Sequence, residues 1–227
     1  MPIKIQAVHP WKVSLEQAKT IQLSLAQKVI TSDKLTSELR FVAGIDVGFV
    51  DKKTTRAAIV VLDFPELSIH ETVVGHTPIM LPYIPGYLSF REIPAIIKAL
   101  ERLKTIPDLI LCDGQGIAHP RRLGIASHLG VLTDLPTIGV AKTKYIGDYA
   151  EPKQQKGHWT PLTDEQDVVG GVLRTRVNVK PLFISTGHRV SLETAIALTM
   201  RCVTRYRLPE PTRLADKLAA NKLITNQ

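Results

Sequence analysis

From Leu15 to Val29, apolar residues recur at helical spacing (Leu15, Ala18, Ile21, Leu25, Val29), which predicts an N-terminal helix. The period then shortens. Phe41 to Val50 and Arg56 to Leu62 are β-rich runs, Glu71 to Gly75 is a briefer one, and the short polar segments between them suit antiparallel, hairpin-like connections. Met80 to Tyr87 interrupts the pattern, because Pro82 and Pro85 exclude a regular helix and leave a stiff loop. A helical stretch to Lys104 follows. Ser89 as its N-cap, with Glu92 three residues on, reads as a capping box.

Leu109 to Cys112 is almost purely apolar, as expected of a strand covered on both faces. Arg121 to Leu132 is expected to be helix and Thr137 to Val140 the next strand. That β-α-β order predicts parallel pairing with a right-handed crossover. Thr143 to Gln166 is polar and contains Pro152, Gly157 and Pro161, so a long flexible loop is expected there, inside a domain rather than between two. Strands are predicted at Val168 to Arg174 and Leu182 to Ser185, a helix at Leu192 to Tyr206, and part of a short helix at Leu214 to Leu218. The sum is an α/β fold, one domain over residues 1–227: a mixed sheet, antiparallel first and parallel later, flanked by helices.

Composition narrows the function. A chain of 227 residues with 44% hydrophobic and 22% charged positions can bury a self-sufficient core. Aromatics are only 5%, so the core should be aliphatic. The net charge of +8 attracts polyanions, nucleic acid first and anionic membrane second. Cys112 and Cys202 lack metal-finger spacing, which argues against zinc and fits reduced thiols in a cytoplasmic protein. Met1 to Val13 lacks the apolar stretch of a signal peptide, and no apolar run approaches the ~20 residues that span a bilayer. A monomer without membrane partners is expected.

Two carboxylates interrupt apolar strands. Asp46 lies in the first β-rich run and Asp113 ends the Leu109 strand, followed by the turn Gly114-Gln115-Gly116. An ionised carboxylate in such a place is expensive unless paired or metal-bound. Either Asp alone fits a turn that bonds backbone amides; both together favour a metal. Oxygen ligands without a cysteine site point to Mg²⁺, with Mn²⁺ as a substitute. Glu92 is a third carboxylate or the cap already described. His119, Arg121 and Arg122 follow the Asp113 turn and suit proton transfer and phosphate pairing, or a plainly solvated surface. Lys142, just past the next strand, would overhang the same crevice and neutralise phosphate charge. Tyr83, within Pro82-Tyr83-Ile84-Pro85-Gly86, is a stiffly mounted aromatic that could wedge between bases or simply pack in the loop.

These blocks together resemble the endonuclease V family. Phe41 to Gly48 resembles its first acidic strand, and Pro82 to Gly86 with Leu88 to Glu92 its wedge and second acidic motif. Asp113 to Gly124 resembles its third, joined by Thr137 to Lys142, Ser185 to Ser191 and Tyr206 to Arg213. The resemblance implies a ribonuclease H-like fold and Mg²⁺-dependent hydrolysis of DNA containing deaminated bases. The cut would fall at the second phosphodiester bond 3′ to deoxyinosine, leaving 3′-hydroxyl and 5′-phosphate ends. It implies Asp46 and Asp113 as metal ligands, Glu92 as third acid, and Asp216 near a C-terminal site residue of variable type. Tyr83 matches the wedge, and Gly86, Leu88, Gly114 and Ile125 match the pocket for a flipped base. Gln115 departs from the His of close relatives. Two rival readings are an inosine-specific endoribonuclease of the same fold and a non-catalytic module that binds damaged DNA.

Overall fold

The structure, a computed structural model, describes residues 3–51 and 53–222; the ends of the expected 1–227 domain lie outside them. The elements in chain order are α1 Leu15–Ala26, β1 Phe41–Phe49, β2 Thr54–Asp63, β3 Ile69–Pro78, α2 Leu88–Leu100, β4 Leu109–Asp113, α3 Ile125–Thr133, β5 Thr137–Ala141, β6 Trp159–Asp164, β7 Asp167–Leu173, β8 Leu182–His188, α4 Leu192–Arg201 and α5 Glu210–Ala219. All eight strands form one sheet in the order β3-β2-β1-β4-β5-β8-β7-β6. The parallel pairs β1–β4 and β4–β5 lie in the middle, and antiparallel pairs occupy both ends. The expected progression from antiparallel to parallel is therefore corrected: the chain returns to antiparallel pairing after β5. This is an α/β, ribonuclease H-like sheet with helices on both faces.

Alternation along the central strands explains the layers. Val42, Leu109 and Leu111 face a core shared with α4 and α5, whereas Ala43, Ile45, Ile110 and Cys112 face a core shared with α2 and α3. Both side-chain sets are apolar because both faces are covered. Gly44 shares the parity of Val42, and α5 crosses it so closely that an added Cβ would lie 1.9 Å from the Pro211 carbonyl oxygen.

Several boundaries move for local reasons. Helix α1 stops at Ala26, short of Val29, and Ser14 and Gln17 form its capping box. Strand β3 is longer than its apolar stretch because it pairs with β2 along its length. Helix α2 begins at Leu88 with Tyr87 as N-cap and no side-chain cap, and it ends at Leu100. The expected capping box at Ser89 is absent: Ser89 is inside the helix, buried, and its Oγ bonds His128 Nδ1 at 2.9 Å. Helix α3 begins at Ile125 rather than Arg121, since Arg122 takes a left-handed φ of 55° and Gly124 is the N-cap. Helix α4 ends at Arg201, short of Tyr206. The expected Thr143–Gln166 loop contains β6, an edge strand that tolerates Pro161 because one of its sides pairs with nothing in the sheet. No helix of the described residues is long and apolar enough to cross a membrane.

Candidate active site

Register delivers the acids. Ile45 of β1 pairs with Cys112 of β4 as the last pair of the parallel ladder, so the next residues, Asp46 within β1 and Asp113 at the end of β4, lie side by side where the ladder stops. Ligand crevices form at such ends in open α/β sheets. Both acids have the parity of the α5 face, and α5 brings Asp216 to them. One carboxylate oxygen from each of Asp46, Asp113 and Asp216 lies within 4.8 Å of the others. Sequence reasoning paired Asp46 and Asp113 with Glu92 as ligands. Glu92 comes instead from α2, in the opposite helix layer, and stands outside this triad.

The electrostatics follow from crowding. Burial, then the charge of Asp113, pushes the Asp46 carboxyl up to about 7. Glu92, 8% exposed, is pushed to about 8 by burial and then by Asp46 and Asp113. Lys142 is one residue past β5 and supplies the balancing cation. Its Nζ lies 2.5 Å from Asp113 Oδ2 and 3.4 Å from Asp216 Oδ1. Partial burial works against its charge, but the hydrogen bond to Asp113 and the charges of the acids hold its pKa above the ordinary lysine value. A cluster of hard oxygen donors whose charges repel one another suits a divalent cation of the Mg²⁺ type.

Beside the acids lies a cavity of about 330 Å³. Gly86, Leu88, Gly114 and Ile125 line it, together with Asp113 and Lys142. Gly114 has φ 147°, and a Cβ there would meet Ile125 Cγ2 at 2.7 Å, so backbone and pocket wall touch directly. Tyr83 stands at the rim, 66% exposed despite its size. Pro85 lines the cavity as well, whereas Pro82 and Ile84 do not.

Three side chains converge on one carbonyl of that loop. The Gly86 oxygen accepts from Gln22 Nε2 at 3.0 Å, His119 Nε2 at 3.1 Å and Arg121 Nη2 at 2.6 Å. Arg121 Nε also donates to Gln22 Oε1 at 2.6 Å, and its guanidinium lies over the Tyr87 ring. His119 Nδ1 accepts the Arg121 amide. Burial, then the nearby Arg121 charge, lowers its pKa to about 4, so the ring is neutral with both nitrogens engaged. In the structure, His119 and Arg121 both hold the Gly86 loop. Arg122 turns to the β6–β7 hairpin, where it pairs with Asp164 at 2.8 Å and Asp167 at 3.4 Å. Gln22 was not anticipated. Its signal was a polar residue on the buried stripe of α1, one turn from Ala18 and from Leu25.

An α/β sheet of this topology, with an acidic triad where its parallel ladder stops, is a ribonuclease H-like fold carrying a candidate metal centre. The endonuclease V family model matches residues 23–217. Endonuclease V of Rippkaea orientalis is 60% identical over 221 residues, covering 97% of this chain and 96% of that one. The crystal structure of endonuclease V from Streptomyces avermitilis superposes with a TM-score of 0.88 at 43% identity, covering 97% of each chain. The Ciona intestinalis endonuclease V, in complex with a 24mer DNA containing an inosine followed by a ribo-adenosine, gives a TM-score of 0.80 at 30% identity, covering 92% of this chain and 97% of that one. The chain belongs to the endonuclease V family.

Proposed function

We propose that this protein cuts DNA containing deoxyinosine at the second phosphodiester bond 3′ to the lesion, leaving 3′-hydroxyl and 5′-phosphate ends. The observation that carries this reading is the Asp46–Asp113–Asp216 triad opening directly beside a cavity of about 330 Å³ rimmed by an exposed tyrosine. The Ciona intestinalis relative bound to inosine-containing DNA supports it.

Asp46, Asp113 and Asp216 would hold Mg²⁺, or Mn²⁺ in its place. When bound, the ion supplies Lewis-acid activation of water and of the phosphoryl oxygen. The residues of the chain do the rest. Gly86, Leu88, Gly114 and Ile125 enclose the base once it leaves the stack. Hypoxanthine makes that exit cheap, because a mismatched or damaged base costs less to unpair. Tyr83 fills the gap it leaves. Lys142 offsets negative charge at the scissile phosphate. Glu92, outside the triad and pushed up to about 8 by burial and then by Asp46 and Asp113, suits the holding and passing of a proton near neutral pH. His119, Arg121 and Gln22 keep the Gly86 loop in register and touch no reacting atom.

One labelled duplex with a single deoxyinosine, incubated with and without Mg²⁺, tests the reading. The expected result is one metal-dependent nick, one nucleotide beyond the lesion on its 3′ side. No nick, or a nick independent of the lesion, would refute it. The ribo-adenosine after the inosine in the Ciona intestinalis complex favours a second reading, in which inosine in RNA is also a substrate. Matched DNA and RNA strands in the same assay decide between them.

A further inference from the structure

Hydrolysis within a strand needs room on both sides of the broken bond, and the cavity beside Asp113 provides for one side. A second cleft, about 670 Å³, opens beyond Lys142. Lys142, Thr143 and Lys144 line both, so the base cavity and the cleft adjoin along this segment.

The cleft is a charged and braced structure. Its charged lining consists of Lys142, Lys144, Arg174 and Lys180 against Glu151 alone. Glu151 is already bound by Arg174 at 2.5 Å. Arg174 is 2% exposed and also donates to the carbonyls of Val179 and Pro152, so it ties opposite walls together. Arg207 donates to the carbonyls of Lys180 at 2.8 Å, Pro181 at 2.8 Å and Lys142 at 2.9 Å, which fixes one wall to the backbone of the catalytic lysine. The Lys180 backbone is therefore pinned, while its exposed ammonium forms no ion pair among the described residues. Among the described residues Lys144 forms an ion pair only with Asp148, whose side chain is 98% exposed, so that contact is weak. Half-buried Tyr149 lines the cleft as its aromatic wall, backed edge to face by the buried Phe183. Ammonium groups over an aromatic wall match a nucleic-acid single strand, whose backbone is anionic and whose bases present flat apolar faces.

We propose that this cleft holds the nucleotides 3′ to the scissile bond, with Lys180 and Lys144 on their phosphates. The assignment rests on the cleavage proposed above. With the flipped base in the first cavity and the cut on its 3′ side, a strand that passes the acids and Lys142 continues 3′ into the cleft.

The test measures binding in Ca²⁺, which occupies oxygen sites of the Mg²⁺ type. Wild type, Lys180→Ala and Lys180→Glu are compared on three single strands with one deoxyinosine: both flanks long, the 3′ flank trimmed just past the scissile bond, and the 5′ flank trimmed. The expected losses are about threefold for Lys180→Ala and about tenfold for Lys180→Glu on the long and 5′-trimmed strands, as for removal or reversal of one phosphate contact. The 3′-trimmed strand should lose less than about twofold. Equal losses on all three strands, no loss on any, or a loss that follows the 5′ flank would overturn the assignment. A control strand with deoxyadenosine at the lesion separates the two levels. If wild type shows no lesion preference, the proposed substrate is wrong. If it shows the preference without dependence on Lys180 and the 3′ flank, only the cleft is wrong. Thermal melting verifies that each variant is folded.

Discussion

Lys142 Nζ lies 2.5 Å from Asp113 Oδ2, so the lysine ammonium already engages a carboxylate oxygen of a proposed metal ligand. Asp113 ends β4 and Lys142 lies one residue past the adjacent parallel strand β5, and the pairing of Asp113 with Val140 sets their approach. A lysine in that position competes with any other cation for the same lone pairs. Lys142→Met is expected to tighten Mg²⁺ binding, read as a larger metal-induced rise in melting temperature. Cleavage should fall by about 100-fold or more, the usual scale for loss of a charge-stabilising donor. Weaker metal binding in the variant would mean that Lys142 supports the site rather than competes for it.

Asp46 is strained electrostatically. Its carboxyl, pushed up to about 7 by burial and Asp113, is destabilising whenever it is ionised in the fold. A group raised in this way contributes stability fully below its unfolded pKa and loses it as pH rises through the folded value. In metal-free buffer Asp46→Asn should therefore melt higher than wild type at pH 8, by roughly 1–4 kcal/mol. The gap should close near pH 4. Added Mg²⁺ should stabilise wild type and leave the variant unchanged, and cleavage by the variant should be abolished. A variant less stable than wild type at pH 8 would contradict the repulsion.

Tyr83 tests recognition apart from chemistry. Base–aromatic stacking is worth about 1–3 kcal/mol, so Tyr83→Ala should weaken binding to deoxyinosine duplex by roughly ten- to a hundredfold. Binding to undamaged duplex should barely change, since no base leaves the stack there. Titrations in Ca²⁺ measure both. Equal losses would make Tyr83 a general contact.

A second titration belongs to the fold. His9 Nδ1 bonds the Pro10 carbonyl and His9 Nε2 meets His128 Nε2 at 2.8 Å, while His128 Nδ1 meets Ser89 Oγ. The Pro10 carbonyl can only accept, so His9 carries its proton on Nδ1, His128 on Nε2, and Ser89 donates. Burial, then the neighbouring His9, lowers the His128 pKa to about 3. A depressed pKa contributes stability above the unfolded value, and that stability is lost as pH falls from about 6.5 toward 3. Wild type should lose on the order of 2 kcal/mol more than His128→Gln between pH 7 and pH 4. Parallel melting curves for the two proteins across that range would refute this.

Gly44→Ala tests the seam beneath α5. The new Cβ would meet backbone at Pro211, which no side-chain rotation relieves. Displacement of α5 should carry Asp216 away from Asp46 and Asp113. A loss of Mg²⁺ affinity of about tenfold or more is expected, together with about 1–3 kcal/mol of stability, as for other overpacked cores. Normal metal affinity in the folded variant would separate α5 from the site.

How much of this was legible depended on whether the signal was local. Asp46 and Asp113 stood out because each breaks an apolar strand, and register then joined them. Asp216 gave no local signal: it sits on a solvent-leaning turn of α5 and acquires meaning only where α5 crosses Gly44. The motif blocks carried the family and named the residues around the cavity. The charges of Arg121 and Arg122 were visible, but their partners Gln22, Asp164 and Asp167 are distant in sequence, so phosphate pairing looked as natural as internal bonding. Strand β6 was hidden because an edge strand with outward polar residues and a proline has the composition of a loop.

The crossing of α5 over Gly44 also orders events in time. During synthesis the strands bearing Asp46 and Asp113 leave the ribosome well before the helix bearing Asp216. Until that helix docks, Asp46 and Asp113 lack the third member of their triad. The three-carboxylate cluster is thus completed only by a helix that is synthesised after every strand of the sheet.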